Sequence, residues 1–319
     1  MAKIKSMIGC EVSTTEIRAV EVTRHDNNYE ILAMGYVPLA DGIIDEGFIR
    51  DADGFNESVT QLIGSGNFQS TNVCVGINNE NVIMRYASFP KVDKDKLRNM
   101  VMLQAQEFIP IPIAEMELDF VIAKEATGED NMPEYNVMLI GARGQMLEGY
   151  INNFTAARLT INDIDSSLLA YVRALKPISN GQKYLLVNCT DDVLNFIVVQ
   201  DDEIYMVRSI TIPEKNRYAV TQLFKVGIED EDLDTAKMFL MNETSSTLSY
   251  FSMQSDTPVE KVYFISNTKY DDQILSILQE NIPATVEIPK LYPEYQSEGI
   301  DDVNKYAACI SVAIAGLEG

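Results

Sequence analysis

Short apolar runs alternate along this chain with stretches of helical spacing, the texture of an α/β protein. Ile8–Cys10, Ile17–Thr23 and Tyr29–Pro38 read as three consecutive strands, with a polar turn at His25–Asn28. Phe55–Ile63 has helical spacing with Asp53 or Gly54 as its expected cap, and Thr71–Ile77 is a compact apolar strand. Val82–Pro90 predicts a strand. Leu97, Val101 and Ala105 then mark one face of a helix that Asp93 would cap and Pro110 and Pro112 would stop, because proline lacks the amide and clashes with the preceding turn. Glu117–Ala123 and Tyr135–Ala142 alternate as strands about the polar loop Glu125–Glu134. Helical spacing resumes at Gln145–Leu159, with a strand at Thr160–Ile164 and a helix near Ser167–Leu175. From Tyr184 the pattern starts over, with strands at Leu185–Cys189, Asn195–Gln200 and Glu203–Ile212 and helices near Arg217–Val226 and Asp232–Met253. A buried strand at Lys261–Ser266, a helix at Asp271–Asn281, a short strand at Thr285–Ile288 and a helix of small apolar residues at Asp302–Leu317 complete it.

The restart is visible residue by residue. Ile8–Val22 (IGCEVSTTEIRAVEV) and Leu185–Val199 (LLVNCTDDVLNFIVV) align without gaps, placing Glu11 on Asn188, Ser13 on Thr190 and Ile17 on Leu194. Each is an apolar strand, a small-polar turn and a second apolar run, the signature of a hairpin. Two such hairpins opening two halves predict a duplicated architecture with a cleft between lobes, and clefts are where ligands bind.

Composition narrows the function classes. A chain of 319 residues is long enough for about two domains. With 25 Lys and Arg against 48 Asp and Glu, the formal charge is −23 and the pI near 4.3. That balance argues against nucleic acid, which needs a basic face, and against adsorption to an anionic membrane. No apolar run approaches the roughly 20 residues that cross a bilayer, and MAKIKSMIGCEV lacks a signal-peptide core, so a cytoplasmic location without direct membrane insertion is expected. Cys10, Cys74, Cys189 and Cys309 lack metal-site spacing, His25 is the only histidine, and EDEDLD at Glu229–Asp234 lacks the glycine and spacing of an EF-hand, so neither a metal site nor a Ser-His-Asp triad is expected.

The three-strand opening, the repeated hairpin and the strand–helix pair at Lys261–Asn281 resemble the actin-like superfamily. Phe89–Ile122 (FPKVDKDKLRNMVMLQAQEFIPIPIAEMELDFVI) narrows the resemblance to the PilM family of type IV pilus assembly, carried by Pro90, Glu107, the Ile109–Pro110 step and Asp119. The resemblance spans nearly the whole chain. It implies an actin-like ATPase fold with two ribonuclease-H-like lobes: lobe 1 from residues 1–82 and 143–182, an inserted α+β subdomain at 83–142 within that lobe, and lobe 2 at 183–319 with a further insertion near 213–256. It also implies a cytoplasmic scaffold. That scaffold would bind the short cytoplasmic peptide of a PilN-like bitopic inner-membrane protein, link it to the pilus motor and alignment complex, and be recruited to the inner face of the membrane through that partner.

Actin-like proteins hold ATP with two glycine-bearing hairpins and a Gly-Gly turn, because backbone N–H groups must approach the phosphates. This chain departs from the family pattern at all three: Glu11-Val12-Ser13, Asn188-Cys189-Thr190 and Ser266-Asn267 stand there. Together the departures predict weak or absent ATP binding and no catalytic residue. Glu11 could still hold a magnesium water and Thr14 or Thr15 a phosphate; each turn also reads as a plain hairpin or loop. Function then falls on a surface, with Gln104, Glu107, Phe108, Ile109, Pro110 and Ile111 as the candidate docking ridge, Phe108 and Ile109 also reading as core. Two alternatives stand beside the scaffold: an ATP-binding ATPase or small-molecule kinase of the same superfamily, and a filament-forming protein like the cell-division protein FtsA.

Overall fold

A computed structural model describes residues 5–319, apart from Asn27, Glu129, Val226, Asp256, Ser297–Gly299 and Asp301. Part of the turn expected at His25–Asn28, part of the loop Glu125–Glu134 and the expected helix end at Val226 therefore lie outside the described residues. The chain divides into two compact units, one of Met1–Asn79, Met146–Ile178 and Pro289–Gly319, the other of Glu80–Gln145 and Ser179–Ile288.

Elements are numbered along the chain. The first unit is built on a five-stranded sheet of β1 (Ser6–Val12), β2 (Glu16–His25), β3 (Asn28–Pro38), β6 (Asn72–Ile77) and β10 (Thr160–Ser166), in the order β10-β6-β1-β2-β3. β1, β2 and β3 run antiparallel as a meander, whereas β6 and β10 are parallel to β1 and to each other. Two short strands, β4 (Ile44–Asp45) and β5 (Phe48–Ile49), pair with each other. They precede α1 (Ala52–Ser65), which buries Phe55, Val59 and Leu62 at helical spacing. Its cap is Asp51, just upstream of the expected Asp53 or Gly54, and its carboxylate accepts from the Gly54 amide at 3.0 Å. The rings of Tyr150 and Phe154, on α3 (Gly144–Ala156), meet Phe55 edge-on. α4 (Ser167–Ser179) succeeds β10. The buried carboxylate of Glu21 is satisfied by Ser6 Oγ and the Gln69 and Ser70 amides at 2.7, 2.7 and 3.1 Å.

The second unit repeats this order. β11 (Tyr184–Cys189), β12 (Val193–Gln200) and β13 (Glu203–Thr211) form the meander, with β14 (Lys261–Ile265) parallel to β11 and β15 (Thr285–Glu287) parallel to β14. α5 (Glu214–Leu223), α6 (Asp230–Gln254) and α7 (Asp271–Asn281) cover it, burying Val187, Phe196, Leu240, Phe264 and Ile274 together. A smaller sheet of β7 (Val82–Pro90), β9 (Pro133–Arg143) and β8 (Met116–Thr127), in the order β7-β9-β8, packs Phe89, Val137 and Leu139 against Leu97 and Val101 of α2 (Lys94–Phe108). Asp93 stands at the N-cap of α2 but its side chain makes no capping bond.

The compact units divide the chain differently from the expected lobes at two places. The inserted subdomain is compact with the second unit and not with lobe 1, because its outer strands pack on β13 and Tyr86 Oη donates to the Ile204 carbonyl at 2.9 Å. The C-terminal segment belongs to the first unit and not to lobe 2. After a single 3-10 turn at Val303–Tyr306, α8 (Ala307–Glu318) packs on β1, β2 and β6. Gly9 permits this: a Cβ there would lie 1.8 Å from the Cys309 carbonyl oxygen.

Candidate functional site

The three turns expected to hold nucleotide lie in two units, and each is built locally. In the first unit, Ser13 closes the β1–β2 hairpin. Its amide donates to the Glu16 carbonyl at 3.0 Å, and its hydroxyl donates to the same carbonyl at 3.1 Å. That hydroxyl also accepts from the Glu16 and Thr15 amides at 3.1 and 3.3 Å, which exhausts a serine's bonding capacity. Thr14 and Thr15 are half-buried at the tip. Glu11 pairs in register with Arg18 on one side and Gly76 on the other. Its carboxylate accepts from Tyr171 Oη at 3.4 Å through both oxygens. Burial pushes the Glu11 carboxyl above the usual carboxylate range, opposed by the Arg18 guanidinium and by the Ser167 and Tyr171 hydroxyls. Arg18 is itself paired with Glu16 and donates to the Lys305 carbonyl at 3.3 Å.

In the second unit, Thr190 performs the task of Ser13. Its amide donates to the Val193 carbonyl at 2.9 Å, and its hydroxyl accepts from the Val193 amide at 3.0 Å while donating to Asp192 Oδ1 at 2.7 Å. Asn188 is buried and donates from Nδ2 to the Ile265 carbonyl at 3.0 Å, tying β11 to the end of β14. Beyond that strand, the Ser266 hydroxyl donates to Asp271 Oδ1, which also accepts from the Thr268 amide at 3.1 Å. Asn267 sits at φ 60°, the left-handed backbone that glycine would otherwise supply and that asparagine tolerates best among the other residues.

Sequence reasoning missed Asp192. It is buried, accepts from the Glu80 amide at 3.1 Å, and its carboxyl is pushed up to about 7, chiefly by burial and then by Asp191. Glu80 is held in turn by Arg217 Nη2 at 2.8 Å. The tandem Asp191-Asp192 in the second hairpin was the one signal available: two carboxylates at a tight turn cannot both stay solvated if either is covered.

On the docking ridge, Gln104, Glu107 and Pro110 are exposed, and Ile111 is half-buried. Ile109 is core, 1% exposed, and so is corrected as a docking residue. Phe108 is half-buried with its ring 6.0 Å from Phe89, leaving one flank outward. Leu103, 83% exposed, adds an outward apolar side chain one position before Gln104. The Ile-Pro-Ile-Pro segment owes its shape to Gln106. That side chain donates to the Ile109 and Ile111 carbonyls, both at 3.3 Å, and accepts from the Ile113 amide at 3.1 Å. β8, an outer strand of its sheet, comes soon after and exposes Val121 and Ile122.

Two units with the same five-stranded order, each opened by an equivalent hairpin, define the actin-like ATPase fold. Solved structures agree. A structure described as the PilM-PilN type IV pilus biogenesis complex is 18% identical, covers 99% of this chain and 100% of its own, and superposes with a TM-score of 0.82. The nucleotide-free diol dehydratase-reactivating factor is 6% identical, with coverages of 99% and 100% and a TM-score of 0.57. The ethanolamine utilization protein EutJ from Carboxydothermus hydrogenoformans is 11% identical, with coverages of 98% and 90% and a TM-score of 0.55. The sequence model of the family described as type IV pilus assembly protein PilM matches residues 9–213. This chain belongs to that family. No helix among the described residues is long and apolar enough to cross a membrane.

Proposed function

We propose that this protein is a non-catalytic docking scaffold of type IV pilus assembly. It takes the short cytoplasmic peptide of a PilN-like inner-membrane protein on the ridge around Gln104, Glu107, Phe108 and Pro110, and links that protein to the motor and alignment complex. It works in the cytoplasm, held at the inner face of the membrane by this partner. One observation carries the reading: the amides and hydroxyls of Ser13 and Thr190, which would face phosphate in a nucleotide-holding relative, are spent inside their own turns. Opening either turn to take a phosphate costs about 1 kcal/mol per hydrogen bond given up. Support for the partner comes from the solved complex that pairs a PilM with a PilN. One observation favours the nucleotide-holding alternative, the left-handed backbone kept at Asn267.

One titration series tests both. Isothermal titration with Mg-ATP gives no micromolar binding, whereas the cytoplasmic peptide of a PilN-like protein binds and Glu107→Lys weakens it about tenfold at unchanged melting temperature. Saturable ATP binding lost in Glu11→Ala overturns the non-catalytic reading; unchanged peptide affinity in Glu107→Lys removes Glu107 from the ridge.

A further inference from the structure

The inserted sheet β7-β9-β8 grows from a short root. Asn81, just ahead of β7, accepts from Arg143 Nε at the end of β9 at 2.9 Å, so the entering and leaving strands are tied together. One residue earlier, Glu80 is held twice. Its amide donates to Asp192 Oδ2 at 3.1 Å, and its carboxylate pairs with Arg217 of α5 at 2.8 Å. Asp192 is thus where the second hairpin grips the root. Its carbonyl also accepts from the Ile212 amide, just past β13, at 2.9 Å.

This grip brings carboxyl groups together. Burial opposes the ionisation of Asp192 most, then the Asp191 carboxylate beside it and, farther down, the Glu80 carboxylate; the Thr190 hydroxyl and the Glu80 amide favour it. On α5, Arg217 stands in the field of Glu80, Asp192 and Glu214 together. Thr190 accommodates both forms of the carboxyl, because its hydroxyl lies 2.7 Å from Asp192 Oδ1 and 3.1 Å from the Val193 carbonyl. With Asp192 ionised, the hydroxyl donates to the carboxylate. With Asp192 protonated, the carboxyl donates to Thr190 Oγ1 and the hydroxyl proton turns to the Val193 carbonyl. The neutral form therefore keeps every bond of the grip. Ionisation adds a buried charge beside Asp191 and Glu80, and opening the root is what lets water reach it.

We propose that the Glu80–Asp192 contact is a pH-sensitive latch on the root of the inserted sheet, closed while Asp192 carries its proton and loosened when the proton leaves. The carboxyl gives up that proton at about 7, so the latch responds around neutral pH. The proposal concerns the joint alone and is independent of what the ridge on α2 binds.

Hydrogen–deuterium exchange of the full chain at pH 6 and pH 8, read by mass spectrometry and divided by the intrinsic rate at each pH, tests it. An open root frees Asp192 to its ordinary value of 3.8, so protection of residues 78–84 is expected to fall about tenfold between the two pH values. It also stays below the protection of residues 184–189 in β11 at both, because a latch opens without unfolding the sheet. Asp192→Asn abolishes the fall: its oxygen still accepts from the Glu80 amide, its nitrogen donates to Thr190, and it does not titrate. Unchanged protection of 78–84 in the parent chain overturns the proposal, as does an equal fall in Asp192→Asn. Protection of 78–84 equal to that of 184–189 also overturns it, since the opening is then global unfolding and not a latch.

Discussion

The hairpin β1–β2 and its counterpart β11–β12 share two bonds at the same position, an amide donated to the carbonyl three residues on and a hydroxyl that accepts the returning amide, while the hydroxyl proton goes to the Glu16 carbonyl in the first and to Asp192 in the second. Ser13 reaches Glu16, and Thr190 reaches Val193, through amide and hydroxyl alike. Around that shared fastening the aligned residues diverge. Gly9 of β1 stands where β11 has buried Leu186, Glu11 where β11 has Asn188, and Thr15 where the second tip has Asp192. Each divergence answers a neighbour distant in the chain. Gly9 clears the carbonyl of Cys309, Asn188 ties the meander to Ile265, and Asp192 receives the amide of Glu80. The turn chemistry is local and was duplicated, while the residues each strand carries were set by the helix or segment lying over it.

The comparison breaks most severely at Gly9. Gly9→Val should cost about 3 kcal/mol or more in urea unfolding, because the obstructing atom is backbone and cannot rotate away. A cost under about 1 kcal/mol would mean that α8 can slide off β1.

Next in size is the pH response that only the second hairpin carries at its tip. Asp192 binds its proton up to about 7 in the folded chain, against an ordinary value of 3.8. Between those values the folded state holds a proton that the unfolded state has lost. Stability therefore falls as pH rises through that window and levels off above it. Asp192→Asn should flatten this slope in chemical unfolding monitored from pH 4 to pH 8. A slope identical to that of the parent chain would assign the titration elsewhere, Glu11 being the first candidate, since its carboxyl is raised too.

The smallest effect sharpens the similarity. Ser13→Ala and Thr190→Ala each remove one hydroxyl that bridges its own turn, and each should cost about 1 kcal/mol. Differential scanning calorimetry should return nearly equal losses. A Thr190→Ala loss several times larger would show that the bond from Thr190 to Asp192, at 2.7 Å, matters more than the turn itself.

Much of the fold is legible in the sequence. The gapless match of Ile8–Val22 to Leu185–Val199 foretells the duplication, and FPKVDKDKLRNMVMLQAQEFIPIPI foretells the helix, its proline stop and the family. Ile109 is not legible, because an Ile-Pro step looks the same whether the isoleucine turns inward or outward; the fold turns it inward, with its Cδ1 over Gly141 of β9. Nor is Gln106, whose role is to bond carbonyls of a loop it precedes, which no spacing rule encodes. The α1 cap is ambiguous for a simpler reason: Asp53 and Gly54 sit so close to Asp51 that composition cannot choose among them.

The sequence by itself determined where most of the strands and helices lie, that the pattern occurs twice, and that a short polar turn joins the strands of each hairpin. All of these rest on periodicity or on bonds between residues a few positions apart. Only the tertiary structure decided that α8 belongs to the first unit, that the inserted sheet lies against β13, and which hairpin carboxylates are covered. An apolar face declares that it will be buried, but not against what; that choice rests on shape fit between segments hundreds of residues apart, such as bare Gly9 beneath Cys309.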